Sequence, residues 1–519
     1  MASDIDGSTS VAEIVKRCPS TRRIFDAHGL KGCGGEHGPT EPLSFFAAVH
    51  GADLDELVQA LRDEMTHPDT MAPAYRPGLE DFIYRRFFRA GIVIVLSVGC
   101  LWGAINLLEI SRAQTFLQLG LLSSIHAHAH AMIFGWVGMF VMGFAYQAFP
   151  RFQNVPLWRP ALANASFVLM LGGIVCGMTA DLLIPRTIAL LPGVLSAVAE
   201  ITAVTLFLLI LYRTARPSQT PRTGNEKFLA AGLLWFWIGT VLEAVFFFAK
   251  ATAANEYKLV MRIALIDGPL RDIQLFGFAG SMIAGVSQRL IPRVYGLAAP
   301  ARNAQSLLFV LMNGSLVLDI VCYLLLLTTQ NIYFGFGLEA AYLLMALWPM
   351  LLARQLGIFS APSRPDRTFK FVRAACIWLI LACAMLPFFL VYGIFTHQVF
   401  AHAFMGSHRH AYTVGFISLM IMGVSSRVTP ILSGIDAKRL SSLWGPFLLI
   451  NVGCAGRVVL QILTDFIPST AYPLLGFTGF IELVALIWWG AELWKVMLGA
   501  PNGDIRGLLQ SEVKLAQTD

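Results

Sequence analysis

The sequence predicts an all-α polytopic membrane protein: twelve transmembrane helices arranged as three four-helix repeats, preceded by a small N-terminal soluble helical domain. Three observations carry this. The 519 residues are 56% hydrophobic and 13% charged, with a mean hydropathy of +0.65, too apolar for a soluble chain. Apolar runs of about 20 residues, the length needed to cross a bilayer as a helix, recur throughout. Finally, one pattern of glycine, proline and polar residues occurs three times.

The pattern is clearest in His408 to Pro430, HRHAYTVGFISLMIMGVSSRVTP. Taking a glycine as origin, Gly135, Gly277 and Gly415 are each followed by a glycine eight residues on (Gly143, Gly285, Gly423) and a proline fifteen on (Pro150, Pro292, Pro430). Five residues before each origin stand His130, Asp272 and His410, and seven before stand His128, Leu270 and His408. The origins lie 142 and 138 residues apart. A repeat this long implies a triplicated helical bundle and not a short solenoid.

Residues 1–70 form the soluble module: VAEIVKRCP and TRRIFDAHGL read as short amphipathic helices, KGCGGEHGP as a glycine-rich turn, and LDELVQALRDEM as a third helix. A linker and interfacial segment, 71–87, carries Pro73 and Pro77, with Pro68 just before it, and leads into the basic, aromatic YRRFFR, an anchor suited to a membrane surface. The transmembrane domain spans 88–498, with spans expected near 88–109, 126–149, 159–180, 187–212, 227–249, 272–292, 305–328, 333–353, 371–395, 408–429, 442–464 and 471–494. A tail, 499–519, follows. The repeated pattern falls on the second, sixth and tenth spans.

Short loops on the N-terminal side carry 24 basic residues, against seven on the other side. By the positive-inside rule both termini are cytoplasmic, in a bacterial-type inner membrane, and the second, sixth and tenth spans begin in the outer half. The net charge of +6 is dispersed in these loops, which excludes a nucleic-acid partner. The polar first 75 residues carry no apolar core of a cleavable signal. The eight cysteines, six of them in apolar helices, indicate no disulfide framework.

Of eleven histidines, seven crowd into two places: His126, His128 and His130, then His397, His402, His408 and His410. Residues i and i+4 share a helix face, whereas i and i+2 point about 200° apart. His126 and His130 can therefore reach one centre and His128 another, and His408 and His410 serve opposite flanks of their helix. Imidazole is the usual axial ligand of haem and a good copper ligand. Histidines that merely line the membrane surface are the bland alternative, and clustering at related repeat positions argues against it. The fourth helices carry Glu200, Glu339 and Glu482 deep in apolar runs. Together with Asp272 these are candidates for a proton route, or for structural hydrogen bonds between helices. Counting 42 from each origin gives Gly177, Asp319 and Arg457; counting 36 gives Leu171, Asn313 and Asn451.

The H-x-H of His408 and His410, with Gly423 and Pro430 after it, resembles the tenth helix of haem-copper oxidase subunit I, and HAHAMIFG resembles that family's second helix. The resemblance implies twelve helices in three arcs, His128 and His410 as axial ligands of a low-spin haem, and His408 as ligand of a second haem. Overall the chain is more similar to the NnrS family of haem- and copper-containing membrane proteins associated with nitric oxide, through HAYTVGFISLMIMGVSSR and MIFGWVGMFVMGFAYQAFPRF. The expected cofactors are one or two haem b groups and copper. The oxidase family takes copper ligands from the sixth and seventh helices, and these have no histidine here. The imidazoles left for copper are His126, His130, His397 and His402. The module resembles a small domain with an H-G-x-x-x-C-G-G turn, in which His28 and Cys33 could hold a metal or sense redox state; the ligand spacing fits no zinc-finger pattern, and a plain helical docking domain is the alternative. The expected function is a haem and copper redox protein handling nitric oxide or a related small molecule, with its reduction by electrons from an unidentified donor as the candidate activity. The alternative is a non-catalytic sensor or carrier with the module as output.

Overall fold

The computed structural model describes residues 4–69, 75, 77–116, 119–220, 223–398 and 401–499. Residues 500–519 of the expected tail and 71–74 and 76 of the expected linker lie outside these residues.

The module contains four helices: α1 (Val11–Arg17), α2 (Arg22–Ala27), α3 (Leu43–His50) and α4 (Leu54–Thr66). The Ser10 hydroxyl caps α1 by accepting from the Glu13 amide, and the Asp53 carboxylate caps α4 by accepting from Asp55 and Glu56. Such caps satisfy amides that have no partner within the helix. The sequence reading expects three helices and misses α3, whose LSFFAAVH is uniformly apolar and too short to show a helical period. Its Phe45 and Phe46 are buried.

The membrane domain follows as α5 (Ile83–Ala113), α6 (Leu121–Phe152), α7 (Pro160–Leu183), α8 (Leu190–Ala215) and α9 (Glu226–Ala251). The helix α10 runs continuously over 256–295. Then come α11 (Arg302–Thr329), α12 (Ile332–Gln355), α13 (Phe369–Thr396), α14 (His402–Ser433), α15 (Trp444–Leu463) and α16 (Pro468–Gly499). Eleven helices among the described residues are long and apolar enough to cross a membrane. The exception is α10, which starts 16 residues before the expected span because its charged first half, including Asp267, Arg271 and Asp272, is held by partners from other helices.

The triplication is visible as a shared irregularity. Helices α6, α10 and α14 each contain an eight-residue π-helical stretch at the same place, Ala131–Gly138, Ile273–Gly280 and Ala411–Ser418, enclosing the origin glycine. These are the inner helices: the apolar windows of α6 and α14 are 72% and 78% buried, against 28–39% for the third helices α7, α11 and α15. Small residues place them there. A Cβ on Gly135 would lie 2.5 Å from Ile94 of α5, on Gly277 2.8 Å from Trp235 of α9, and on Gly415 2.5 Å from Trp378 of α13. A second contact repeats eight residues later, at Phe87, Leu229 and Phe371. In a bilayer, such close backbone approach supplies the dispersion contacts that hold helices together.

Polar pins complete two of the units. The Trp235 and Trp378 indoles each donate to an asparagine of the third helix, Asn313 and Asn451, at 2.9 Å. In the first unit Ile94 and Leu171 occupy these places, so the pin becomes an apolar contact. A Cβ on Gly143 would stand 2.6 Å from Phe87 Cβ, so Gly143→Val should destabilise the purified protein by about 1–3 kcal/mol. Gly314→Ala, with no atom within 4 Å of the added Cβ, should leave the Tm unchanged or higher.

Candidate functional site

The histidines of α6 and α14 divide into two kinds. The leading pair, His128 and His408, each place Nδ1 on a main-chain carbonyl of the first helix of their own unit: Gly99 at 3.0 Å and Ala382 at 2.8 Å. Local helix irregularities accompany both acceptors. Gly99 closes a π-helical turn, Val95–Gly99. Pro387 tightens α13 into a 3-10 turn, so the Leu386 amide donates to Cys383 and leaves the Ala382 carbonyl to the imidazole. An Nδ1–H donated to a carbonyl leaves Nε2 as the unprotonated nitrogen, the form that ligates a metal. The close fit of His128 against α5 needs Gly103, whose added Cβ would lie 2.7 Å from the ring.

The trailing pair, His130 and His410, bind carboxylates instead. His130 Nε2 lies 2.7 Å from Glu200 Oε1, and His410 Nε2 lies 2.7 Å from Glu482 Oε1. The carboxylates come from the fourth helices, α8 and α16, and each passes a glycine of the third helix, Gly173 or Gly453, where an added Cβ would be 2.5 or 2.6 Å from the glutamate Cγ. Two units therefore build the same histidine–glutamate pair with the same parts.

Each site lies where one unit meets the next. Between the third and first units, His128 has His410 and Arg457 as charged neighbours, and Arg457 in turn neighbours Glu482. The Arg457 Nη1 is buried there without a hydrogen-bond partner. Between the second and third units, His408 is buried with its ring parallel to Phe276 of α10, centroids 6.1 Å apart. Asp272, the counterpart of the trailing histidines, stands there beside Arg409, Asp267 and Asp319.

Between the first and second units a buried ionic chain forms. His130 Nδ1 is 3.9 Å from Glu243, which accepts from Arg271 at 2.9 Å and Gln274 at 2.7 Å. Arg271 also pairs with Asp267 at 3.1 Å, which meets Arg409 at 3.3 Å. A second branch joins Lys250 to Asp181 at 2.5 Å and to His126 Nδ1 at 3.3 Å. Sequence reasoning overlooks Glu243, Lys250 and Asp181. The signal was available: Glu243 and Lys250 stand seven residues apart, on one face of an otherwise apolar span.

The remaining candidates are dispersed. Glu339 is half-buried on α12, and a count of 65 from Gly277, which reaches Glu200 in the first unit, lands on Tyr342, whose charged neighbours are Asp319 and Asp272. The three glutamates are therefore not equivalent. His397 and His402 are exposed. Among the described residues no group of three or more histidine, cysteine or acidic side chains could hold a metal ion. The expected copper set of His126, His130, His397 and His402 is not assembled: Lys250 occupies His126, and Glu200 occupies His130.

In the module, His28 is exposed while Cys33 is buried with Sγ 4.0 Å from the Ile431 carbonyl. Burial pushes the Cys33 thiol up, so it stays protonated at neutral pH, which is unlike a metal-binding thiolate. The glycine-rich turn docks instead. The Gly34 amide donates to Leu432 at the end of α14 at 3.2 Å. Gly34 has φ 74°, and an added Cβ would lie 2.1 Å from the Gly38 carbonyl carbon.

Fold and site together define a polytopic membrane protein of three four-helix units, with histidines contributed by the first and third units at the boundaries between units. The model of the family described as NnrS protein matches residues 82–500, and the chain belongs to this family. Comparison with curated proteins finds no match.

Asp181 and Lys250 are 3% and 4% exposed, so removing one strands the other. Lys250→Met should cost about 3–5 kcal/mol in thermal or denaturant unfolding, and Lys250→Met with Asp181→Asn should recover most of it. A double variant as unstable as the single one would show the pair to be uncoupled.

Proposed function

We propose that this chain is a haem-carrying membrane redox protein that acts on nitric oxide or a related small molecule. The observation that carries the reading is the division between leading and trailing histidines. His128 and His408 keep Nε2 free, while His130 and His410 are tied to titratable carboxylates. Membership of the NnrS family supports the nitric oxide part.

The residues fit haem. His128 and His410, neighbours across the boundary between α6 and α14, would hold one haem, and His408 would hold a second, separate centre. His410 keeps Nδ1 for a ligand, with Glu482 on its other nitrogen, the carboxylate–imidazole arrangement that raises ligand basicity. The unpartnered Nη1 of Arg457 suits an anionic substituent such as a propionate. Bound haem would supply one-electron chemistry and a position at which a diatomic molecule can be held. The histidine–glutamate pairs hold protons within hydrogen-bond reach, and reduction of nitric oxide consumes protons. The donor set does not extend to copper, for want of three converging ligands among the described residues.

A second reading is favoured by the docked module: a haem-binding sensor that does no turnover, with the module as output. Gly34 on Leu432 and the ion pair of Glu41 with Arg427 at 2.6 Å connect the module directly to α14, the helix that carries His408 and His410. Haem binding without consumption of nitric oxide would favour this reading.

An optical spectrum of purified protein with haem stoichiometry tests both. His128→Ala and His410→Ala should each abolish one low-spin component, His408→Ala should remove a different one, and His130→Ala should leave the low-spin signal in place. A chain that carries no haem sinks the proposal.

For proton delivery, Glu200→Gln and Glu482→Gln should slow nitric oxide consumption about 100-fold and flatten its pH profile, with Glu339→Gln close to wild type. Wild-type rates in all three would leave these carboxylates a purely structural role.

A further inference from the structure

The three inner helices enclose space on their common axis that belongs to none of the histidine sites. Residues five, six and nine after each origin glycine, Phe140, Val141 and Phe144 in α6 and their counterparts in α10 and α14, wall an apolar slot of about 80 Å³. Nearer the module, residues twelve and sixteen after each origin face a larger cavity of about 470 Å³, closed on its other side by α3 and the glycine-rich turn. Phe88 and Phe144 line both spaces.

The larger cavity is cationic. Arg151, Arg289, Arg293 and Arg427 line it, with Glu41 as the lining carboxylate among the described residues. Arg427 is neutralised by Glu41 at 2.6 Å and Asp366 at 3.4 Å, and Arg151 by Asp81 at 3.1 Å. Arg289 and Arg293 have no carboxylate within ion-pair distance among the described residues. They donate to the Phe152 and Val49 carbonyls at 3.0 and 3.1 Å, and Arg289 Nε has no partner. His50 adds no positive charge: burial, with the adjacent His28, Arg293 and Arg151, lowers it to about 4. Two part-buried guanidinium groups without an ion-paired carboxylate, Arg289 having Glu226 as its charged neighbour of opposite sign, favour an anionic occupant, because a partly desolvated charge gains from a counter-ion.

We propose that this cavity binds a short-chain anionic amphiphile, its carboxylate or phosphate head held by Arg289 and Arg293 and its chain directed into the apolar slot. The head needs the uncompensated charge, and the chain needs walls that offer no hydrogen bonds. The slot supplies phenylalanine, valine, methionine and isoleucine walls at the same distances from each origin glycine in all three units; Ser287 and Ser425 also line it, and the Ser425 hydroxyl is spent on the Ile421 carbonyl. The cavity wall is shared by module and inner helices, so the occupant bridges the two. None of this depends on haem.

Equilibrium dialysis of radiolabelled octyl phosphate and octanoate against nanodisc-embedded protein, with empty nanodiscs as blank, tests the site. One saturable site per chain is expected, weakened at least tenfold in Arg289→Gln/Arg293→Gln. Val286→Phe, which fills the slot and keeps both arginines, should weaken octyl phosphate but not methyl phosphate. Probe added in water and probe premixed into the disc lipid distinguish supply from solution from supply by the bilayer, and saturable loading by either route supports the site. The proposal is overturned if octanol binds as tightly as octyl phosphate, if inorganic phosphate competes at equal concentration, or if Val286→Phe and the arginine variant both bind as wild type.

Discussion

The arrangement of the membrane domain depends on one kind of contact: a glycine of each inner helix pressed against a bulky side chain of the preceding helix. Association of helices in a bilayer gains little from the hydrophobic effect, because lipid tails are as apolar as the side chains, so close approach must supply the energy. Gly135 on Ile94, Gly277 on Trp235 and Gly415 on Trp378 supply it in each unit. Because the same contact is made three times, the inner helices are brought to a common axis, and everything functional lies either on that axis or where one unit meets the next.

At those boundaries the governing constraint is satisfaction of buried polar groups. An imidazole has two nitrogens to satisfy, and the chain does this differently for neighbours two residues apart. The leading histidines each take a carbonyl from an irregular helix, a π-helical turn in α5 and a proline-tightened turn in α13. The trailing ones take a carboxylate from a fourth helix. The second unit shows what happens without imidazoles: Asp272 and Asp319 stand together beside Arg409 and Asp267, and the histidine at that boundary, His408, comes from the third unit.

Much of this was legible in the sequence, for reasons that particular residues make plain. The origin glycines and prolines marked the triplication because close packing admits few substitutes at Gly143, Gly285 and Gly423. The histidine–glutamate pairs were half legible: Glu200 and Glu482 stood out as charges in apolar helices, but only the fold showed that Glu339 faces elsewhere. Hydropathy cuts helix α10 short because it treats Asp267 and Arg271 as solvent-seeking, whereas Arg271 is buried by pairing with Glu243 and Asp267, and Asp267 is held between Arg271 and Arg409. Nothing in a single chain could show that Gly99 and Ala382 are the acceptors, since a main-chain carbonyl carries no sequence signature. The turn with Cys33 was read as a possible metal site because cysteine beside histidine suggests ligation. Its glycines are required by positive φ angles and close contacts within the turn and with Asp81, and the turn so formed docks its Gly34 amide on the end of α14.

The ionic chain of the first boundary links sites that the repeats keep apart. Glu200, His130, Glu243, Arg271, Asp267 and Arg409 alternate between anion and potential cation, each within 4 Å of the next. Arg409 adjoins His408, so the chain begins on the first unit's histidine and ends beside the third unit's. In a low-dielectric interior each member depends on two neighbours for neutralisation. A change of charge at His130 is therefore felt at Glu243 and passed to Arg271, not screened by solvent. The second unit, which has lost its histidines, supplies the middle of this chain. Its Glu243, Arg271 and Asp267 thereby place alternating charges between two units that keep theirs.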